Sequence, residues 1–220
     1  MSALAKSQRI LSSIGYIGNF LNSGVRVGDL YQMDDRQFIL LGNIQDLASS
    51  LTLDASKLSV GTKSNLSYTK ESNIEVRFKG DASAPSLAKG EVELNFKSRK
   101  SAFVSLKEAT ITEVKVELIR EALKQVWNDK KYKKNGRHVL ISQTVAAKSG
   151  MVIFSQERNN KVVLKATADD GVTSVVKLGS GAFEFVSNSK ATLETISTEP
   201  FVAMFKAVYL KPNGNFELLG

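Results

Sequence analysis

The chain contains no cysteine, one histidine and three prolines in 220 residues. Without cysteine there is no disulfide framework, no thiolate nucleophile and no thiolate metal site, a composition that suits a reducing compartment. The lone His138 stands at the start of an extended stretch with no partner visible from spacing, so a structural place is expected for it rather than a metal-binding or base role. No run of 18 or more apolar residues exists, which excludes a helical membrane span. The N-terminus also lacks the continuous apolar block of a secretion signal. The cytoplasm is the expected compartment.

Catalytic and nucleotide motifs are missing as well. There is no Gly-x-Ser-x-Gly elbow and no Gly-x-Gly-x-x-Gly, and "VGTKSN" lacks the contiguous Gly-Lys-Ser of a phosphate-binding loop. The acidic doublets Asp34-Asp35 and Asp169-Asp170 sit in turn contexts, where carboxylates commonly bond the local backbone. Nothing distinguishes an acid from a base among the carboxylates, so a non-enzymatic protein without cofactor or metal is expected. Aromatics make up only 8% of the chain. They are too few, and too little interleaved with basic residues, to favour a nucleic-acid partner.

What the sequence does have is positive charge. A formal net charge of +8 and a pI near 9.5 call for an anionic partner: an acidic membrane, an acidic protein surface or nucleic acid. The densest cluster is Lys130, Lys131, Lys133, Lys134 and Arg137, broken by Tyr132 and opposed only by Asp129. It reads either as a solvated helix end whose cations complement the carbonyl dipole or as a contact for phosphate or acidic lipid headgroups, worth about 1 kcal/mol per basic side chain near such a surface.

Periodicity places the elements in a single β-rich α+β domain, residues 1–220, with a twisted, mostly antiparallel sheet, an N-terminal amphipathic helix and a central helix. Ile10, Ile14, Ile17 and Leu21 recur at helical spacing, which predicts an amphipathic helix over 3–22, weakened by Gly15 and Gly18. Basic and serine-rich, this segment also shares the look of an organelle transit peptide, but such helices are common in ordinary domains. Residues 24–110 read as strands, with a Ser/Thr-rich loop or weak edge strand at 49–69. Thr110 and Glu113, spaced as a capping box, predict a helix running into the basic cluster by 136, with Trp127 on its apolar side. From 137 to 220 short strands punctuated by glycine and Asn-Gly suggest a meander.

One stretch is unusual. "EVELNFKSRKSAFVSL", residues 91–106, keeps Val92, Leu94, Phe96, Ala102, Val104 and Leu106 on even positions, with Lys97, Arg99 and Lys100 in its middle. Fully extended it would span about 50 Å, well beyond a typical globular strand and beyond the 9 to 11 residues of a membrane strand. It must bend, break or project. One reading is two ordinary strands joined at "KSRKS". The other is a hairpin strand that refolds in a bilayer with Lys100 at headgroup level, since burying that charge at the midplane would cost about 2 to 4 kcal/mol. "NIEVRFKG" supplies the matching arm, with Ile74, Val76 and Phe78 on one face.

The order of these elements resembles the pore-forming domain of the gasdermins. "GEVELNFKSRKSAFVSLKEATITEV" looks like their alternating strand leading to a helix, "HVLISQTVAAKSGMVIF" is similar to the strand that follows, and "ATLETISTEPFVAMFKAVYLKPNGNFELL" looks like their last strand pair. The resemblance implies a homo-oligomer that moves from cytoplasm to acidic membrane lipid on activation and forms a β-hairpin pore linked to cell death. It further implies a separate inhibitory or activating protein. It would assign lipid contact to Lys6, Arg9, Lys97, Arg99, Lys100 and the Lys130–Arg137 cluster. Ile74, Val76, Phe78, Val92, Leu94 and Phe96 would form one inserting hairpin face, and 151–168 would contribute a second hairpin. The competing expectation is a soluble β-rich assembly or binding module, a structural subunit or adaptor with a basic face for an acidic partner or nucleic acid.

Overall fold

The computed structural model describes residues 16–18, 24–34, 37–48, 51–69, 74–79, 91–98, 101–128, 137–155, 157–166, 176–178, 181–187, 192–197, 199–210 and 216–219. Over these residues the protein is β-rich with few helices. Two compact units interleave along the sequence, one of residues 1–63, 110–146 and 204–220 and the other of 64–109 and 147–203.

In the first unit β9 (Arg137–Ala147) lies between β15 (Phe201–Leu210) on one side and both β2 (Asp29–Asp34) and the end of β8 (Ser101–Val114) on the other. β3 (Gln37–Asn43) extends the sheet from β2, β4 (Leu58–Val60) extends it from β8, and both β1 (Ile17–Gly18) and β16 (Phe216–Leu219) pair with β15. β9 carries Val139-Leu140-Ile141 without alternation because both its faces are buried. On one face Leu140 joins Leu30, Val208 and Leu210 with Ile44 of the short helix α1 (Ile44–Leu47) and with Leu123 and Val126 of α2 (Arg120–Asn128). On the other, Val139 and Ile141 pack with Ile17, Val25, Phe205 and Ala207. His138 is buried in the same strand, opposite Gln32.

A buried polar latch closes the β2–α1 end of this unit. Asp29 accepts from the Arg26 backbone N–H at 2.7 Å and from Asn43 Nδ2 at 3.0 Å. Asn43 Nδ2 also donates to the Val27 carbonyl at 2.9 Å, while its Oδ1 accepts from Gln45 N and so caps α1. At the adjoining turn Gly28 has φ +86°, and a Cβ there would stand 2.8 Å from Leu53 Cδ1. Only glycine suits both conditions.

The second unit is a two-layer sandwich. One layer is ordered β14 (Thr192–Ser197), β10 (Ser149–Ser155), residues 101–109 of β8, and β5 (Ser64–Thr69). The other is ordered β12 (Val176–Leu178), β13 (Gly181–Ser187), β11 (Asn160–Ala166), β7 (Glu91–Phe96) and β6 (Ile74–Lys79). Ile74, Leu94, Phe96, Val162 and Leu164 of this five-stranded sheet pack against Phe103, Met151 and Ile153 of the first layer. Each large side chain so buried contributes about 1.5–3 kcal/mol.

Two sequence expectations change, and a third, the N-terminal helix, lies outside the described residues but for its positions 16–18. Of the predicted helix 3–22 only 16–18 lie within the described residues, and there Ile17 and Gly18 are extended, paired with Phe205 and Met204. Gly18 weakens a helix by about 1 kcal/mol, and at Ile17–Gly18 strand pairing takes over. The capping-box position Thr110–Glu113 is strand: β8 runs to Val114, paired with β9 and β4, followed by a 3-10 turn at Val116–Ile119 and then α2. Thr110, Ile111, Thr112 and Val114 are β-branched and pair with β9, with β4 or, at Thr112, with both, which outweighs the local cap signal. After 137, among the described residues, neighbour-to-neighbour pairing survives only at β12–β13 and β15–β16. β9, β10 and β11 pair instead with the earlier β2, β8 and β7. The Ser/Thr-rich segment supplies β4 and β5, short strands at sheet edges.

Candidate functional site

The stretch 91–106 is two strands, β7 and β8, in different layers of the sandwich, so the chain turns a corner between Phe96 and Ser101. The segment running antiparallel to it does the same. β10 and β11 lie in different layers and turn between Ser155 and Asn160. Residues 151–168 are therefore not a hairpin of two mutually paired strands. β10 pairs with β8 and β14, and β11 with β7 and β13, because the polar run 156–160 breaks the apolar pattern where the chain must change layers.

The register on the two sides of the corner is the same. Below it Lys165 faces Glu91, Val162 faces Leu94 and Asn160 faces Phe96. Above it Ser155 faces Ser101, Val152 faces Val104 and Ser149 faces Lys107. Each step forward on one strand is one step back on the other, and the same number of positions, four on each strand (97–100 and 156–159), separates Phe96↔Asn160 from Ser101↔Ser155. The two corners form one fold in a two-stranded ribbon of constant register.

Short-range polar contacts hold the corner. Ser101 Oγ donates to the Ser98 carbonyl at 2.9 Å, and Ser155 Oγ donates to the Glu157 carbonyl at 2.8 Å. Arg158 Nε reaches the Lys97 carbonyl at 3.3 Å, linking one bend to the other. Asn159 takes φ +58°, a left-handed conformation that asparagine tolerates better than most residues. Lys97, exposed, pairs with Glu75 of β6 at 3.7 Å.

The five-stranded sheet below the corner has two chemically distinct faces. In register Ile74 stands opposite Phe96, Val76 opposite Leu94 and Phe78 opposite Val92, alternating with Glu75 opposite Asn95, Arg77 opposite Glu93 and Lys79 opposite Glu91. Ile74, Leu94 and Phe96 are buried in the sandwich. On the polar side Glu93, only 4% exposed, accepts from Asn95 Nδ2 at 2.9 Å and pairs with Lys161 Nζ at 2.6 Å.

The six positions expected to form one apolar hairpin face thus occupy consecutive facing pairs of β6 and β7. Of the expected lipid-contact cations, Lys97 lies at the corner, and Arg137 opens β9 opposite Met33. Lys6, Arg9, Arg99, Lys100, Lys130, Lys131, Lys133 and Lys134 lie outside the described residues. Lys161 and Arg158 were not singled out from the sequence. The alternation of Lys161, Val163 and Lys165 against Val162 and Leu164 was the available signal for Lys161.

Elsewhere, Lys206 Nζ stands 4.5 Å over the Tyr16 ring, and the Tyr16 hydroxyl is pushed above its ordinary value by burial and then by the Glu113 carboxylate. Among the described residues no cluster of His, Asp or Glu has the arrangement to hold a metal ion. Among them, too, no helix is long and apolar enough to cross a membrane.

No protein-family model matches the chain, and no curated protein matches it. Among solved structures it is similar to a bacterial gasdermin from Bradyrhizobium tropiciagri, at 8% identity over 94% of this chain and 88% of that one, with a TM-score of 0.43. This is a weak structural resemblance, and it carries no functional inference.

Proposed function

We propose that the protein is a non-enzymatic, membrane-active protein that oligomerises on acidic lipid and forms a β-hairpin pore. The observation that carries this reading is the constant register across the corner. A slip of one residue would turn every side chain of a strand to the wrong face, so a bent ribbon can straighten with its pattern intact only where the register on both sides of the bend agrees. Here, closing the gap between Phe96↔Asn160 and Ser101↔Ser155 needs no slip. Val92, Leu94 and Phe96 then share one face with Ala102, Val104 and Leu106, the phase that the sequence already has.

In the straightened form the corner residues Lys97, Arg99, Lys100 and Arg158 form a cationic belt at headgroup level. The β6–β7 hairpin lies beyond it. Each arm of residues 74–96 supplies about 11 residues, the length a membrane strand needs. Ile74, Val76, Phe78, Val92, Leu94 and Phe96 face lipid, and the Glu91, Glu93 and Arg77 face turns to the lumen. The β11–β13 pair, containing residues 160–166 of the expected second hairpin, adds the next staves. Basic residues at Lys6, Arg9 and Lys130–Arg137 provide the first attraction to the acidic surface.

Because the chain has no cysteine, single cysteines at positions 91 to 96 can each carry an environment-sensitive dye. On acidic vesicles containing a lipid-bound quencher, dyes at 92, 94 and 96 are expected to be quenched and those at 91, 93 and 95 to stay in water. Quenching without this alternation would reject the inserted strand.

The competing reading, a soluble β-rich assembly or adaptor, draws on Ile39 and Leu40. Both are about half exposed, on β3, which pairs only with β2 among the described strands. Such an edge is a template for pairing with another chain. Concentration-dependent assembly in the absence of lipid would favour that reading.

A further inference from the structure

β8 is irregular at a second place, away from the corner. Glu108 takes φ +48°, a left-handed conformation that glycine adopts freely and a residue with a Cβ does not. It belongs to a bulge against β5: Ser64 stands opposite Ala109 and Leu66 opposite Leu106, so Asn65 alone spans Lys107 and Glu108. Where such a bulge has a left-handed position, glycine ordinarily fills it. Asn65 holds Glu108 there, its Oδ1 accepting from the Glu108 backbone N–H at 3.1 Å. Lys148 Nζ meets the Glu108 carboxylate at 3.2 Å. Asn65 and Lys148 are exposed and Glu108 partly so, so their rearrangement opens no core.

The flanking strands do not require the bulge. On the β9–β10 side Ser149 stands opposite Lys107 and Ala146 opposite Thr110, with two residues of each strand between these pairs, so that register is unbroken. On the other side β4 sets Leu58 opposite Val114 and Val60 opposite Thr112, and the Gly61 N–H donates to the Ile111 carbonyl at 2.8 Å. Eight residues on from Leu58 and eight back from Val114 is the pair Leu66↔Leu106, so β4 and the rest of β5 are in phase. Only Ser64 is one step out. Setting Ser64 against Glu108 and Asn65 against Lys107 would give a regular ladder from Leu58 to Thr69 and keep every other pair.

We infer that this bulge is a two-state switch in β8, bulged with Glu108 left-handed as seen here, and regular with Glu108 extended. Separate groups favour the two states. Asn65 favours the bulge, because its side chain stands in for the strand partner that the extra residue lacks. The Cβ of Glu108 favours the regular strand, and a strained residue of this kind persists only where its surroundings hold it. Lys148 favours neither, since the unbroken count sets it against Glu108 in both states, where opposite charges attract. A bulge bends the strand that carries it. On the pore reading the regular state would therefore straighten the ribbon at a second place, but the switch is a property of the free protein and is tested without lipid.

The test is NMR of the isotope-labelled full-length protein in solution. The Cα shift of residue 108 reports left-handed or extended backbone, and relaxation dispersion at 64–66 and 107–109 reports exchange on the microsecond to millisecond scale. The wild type is expected to be left-handed at 108 and to exchange with an extended minor state. Glu108→Gly removes the penalty on the bulge and is expected to lower the minor population about fivefold to thirtyfold. Glu108→Ala loses the same carboxylate but keeps the penalty, and its exchange is expected to persist. Asn65→Ala is expected to raise the extended population. Exchange that Glu108→Gly leaves unchanged would overturn the inference, as would an Asn65→Ala protein that stays left-handed at 108 and free of exchange.

Discussion

Leu94 sits at the centre of the sandwich, and replacing it with alanine tests whether the five-stranded sheet is held by a packed core. Its side chain is fully buried, with Val162 facing it on β11 and Val76 facing it on β6. Phe96, Met151, Ile153 and Val162 in the same cluster are also fully buried. Leucine-to-alanine changes in cores cost about 2–5 kcal/mol, the upper part applying where the surroundings cannot collapse into the void. With neighbours anchored in two layers, a cost of about 3–4 kcal/mol is expected here. For a chain of this size each kcal/mol lowers the melting temperature by about 2–4 °C, so the variant should melt roughly 6–16 °C early. Val60→Ala provides the comparison, since Val60 is 64% exposed; surface changes of that kind usually stay within about 0.5 kcal/mol. Both are read by chemical denaturation and calorimetry. If Leu94→Ala cost no more than Val60→Ala, the sandwich core would not be what holds this sheet in place.

Other parts of the structure give further expectations. Gly150→Ala would place a Cβ 2.5 Å from the Ser105 carbonyl oxygen and 2.8 Å from Leu106 Cα; the β8–β10 pairing should be lost, visible as faster amide exchange along β10. Asn43→Ala removes a donor from Asp29 and from the Val27 carbonyl and should cost about 1–3 kcal/mol in denaturant unfolding, the usual penalty for stranding buried polar groups. Asp54 is held at about 2, below its ordinary value of 3.8, first by the Ser56 hydroxyl and then by Lys57. Because its folded value is depressed, its contribution to stability is complete above the unfolded value and is lost as pH falls from about 4 through about 2. Ser56→Ala should move the Asp54 titration seen by NMR upward. Lys131→Glu with Lys134→Glu should abolish flotation with acidic liposomes, and unchanged flotation would reject the headgroup role of the basic cluster.

Much of this architecture could be read from residue order. Alternation in 74–79 and 91–96 revealed two strands with one apolar face, and the structure pairs those faces residue for residue. Helix boundaries were less legible. Thr110 and Glu113 carry a sound local cap signal, but the partners that make 110–114 a strand come from residues 58–60 and 143–146, which no local pattern announces. Ile17 fits a helical stripe and a strand pair with Phe205 equally well, and at that residue a distant contact makes the strand. The corner was legible only as a puzzle. Polar residues 97–100 interrupt a stripe whose phase continues beyond them, whereas in the sandwich Phe103, not Val104, joins Leu94 and Phe96 in the core. The matching interruption at 156–159 gains meaning only when the register sets it opposite the first.

The measurement that bears most directly on the proposed function is dye release from liposomes made with and without acidic lipid, with the same membranes imaged by electron microscopy. The pore reading predicts release from the acidic vesicles alone, accompanied by ring-shaped assemblies in their membranes. Acidic vesicles that bind the protein yet stay sealed and free of rings would contradict it.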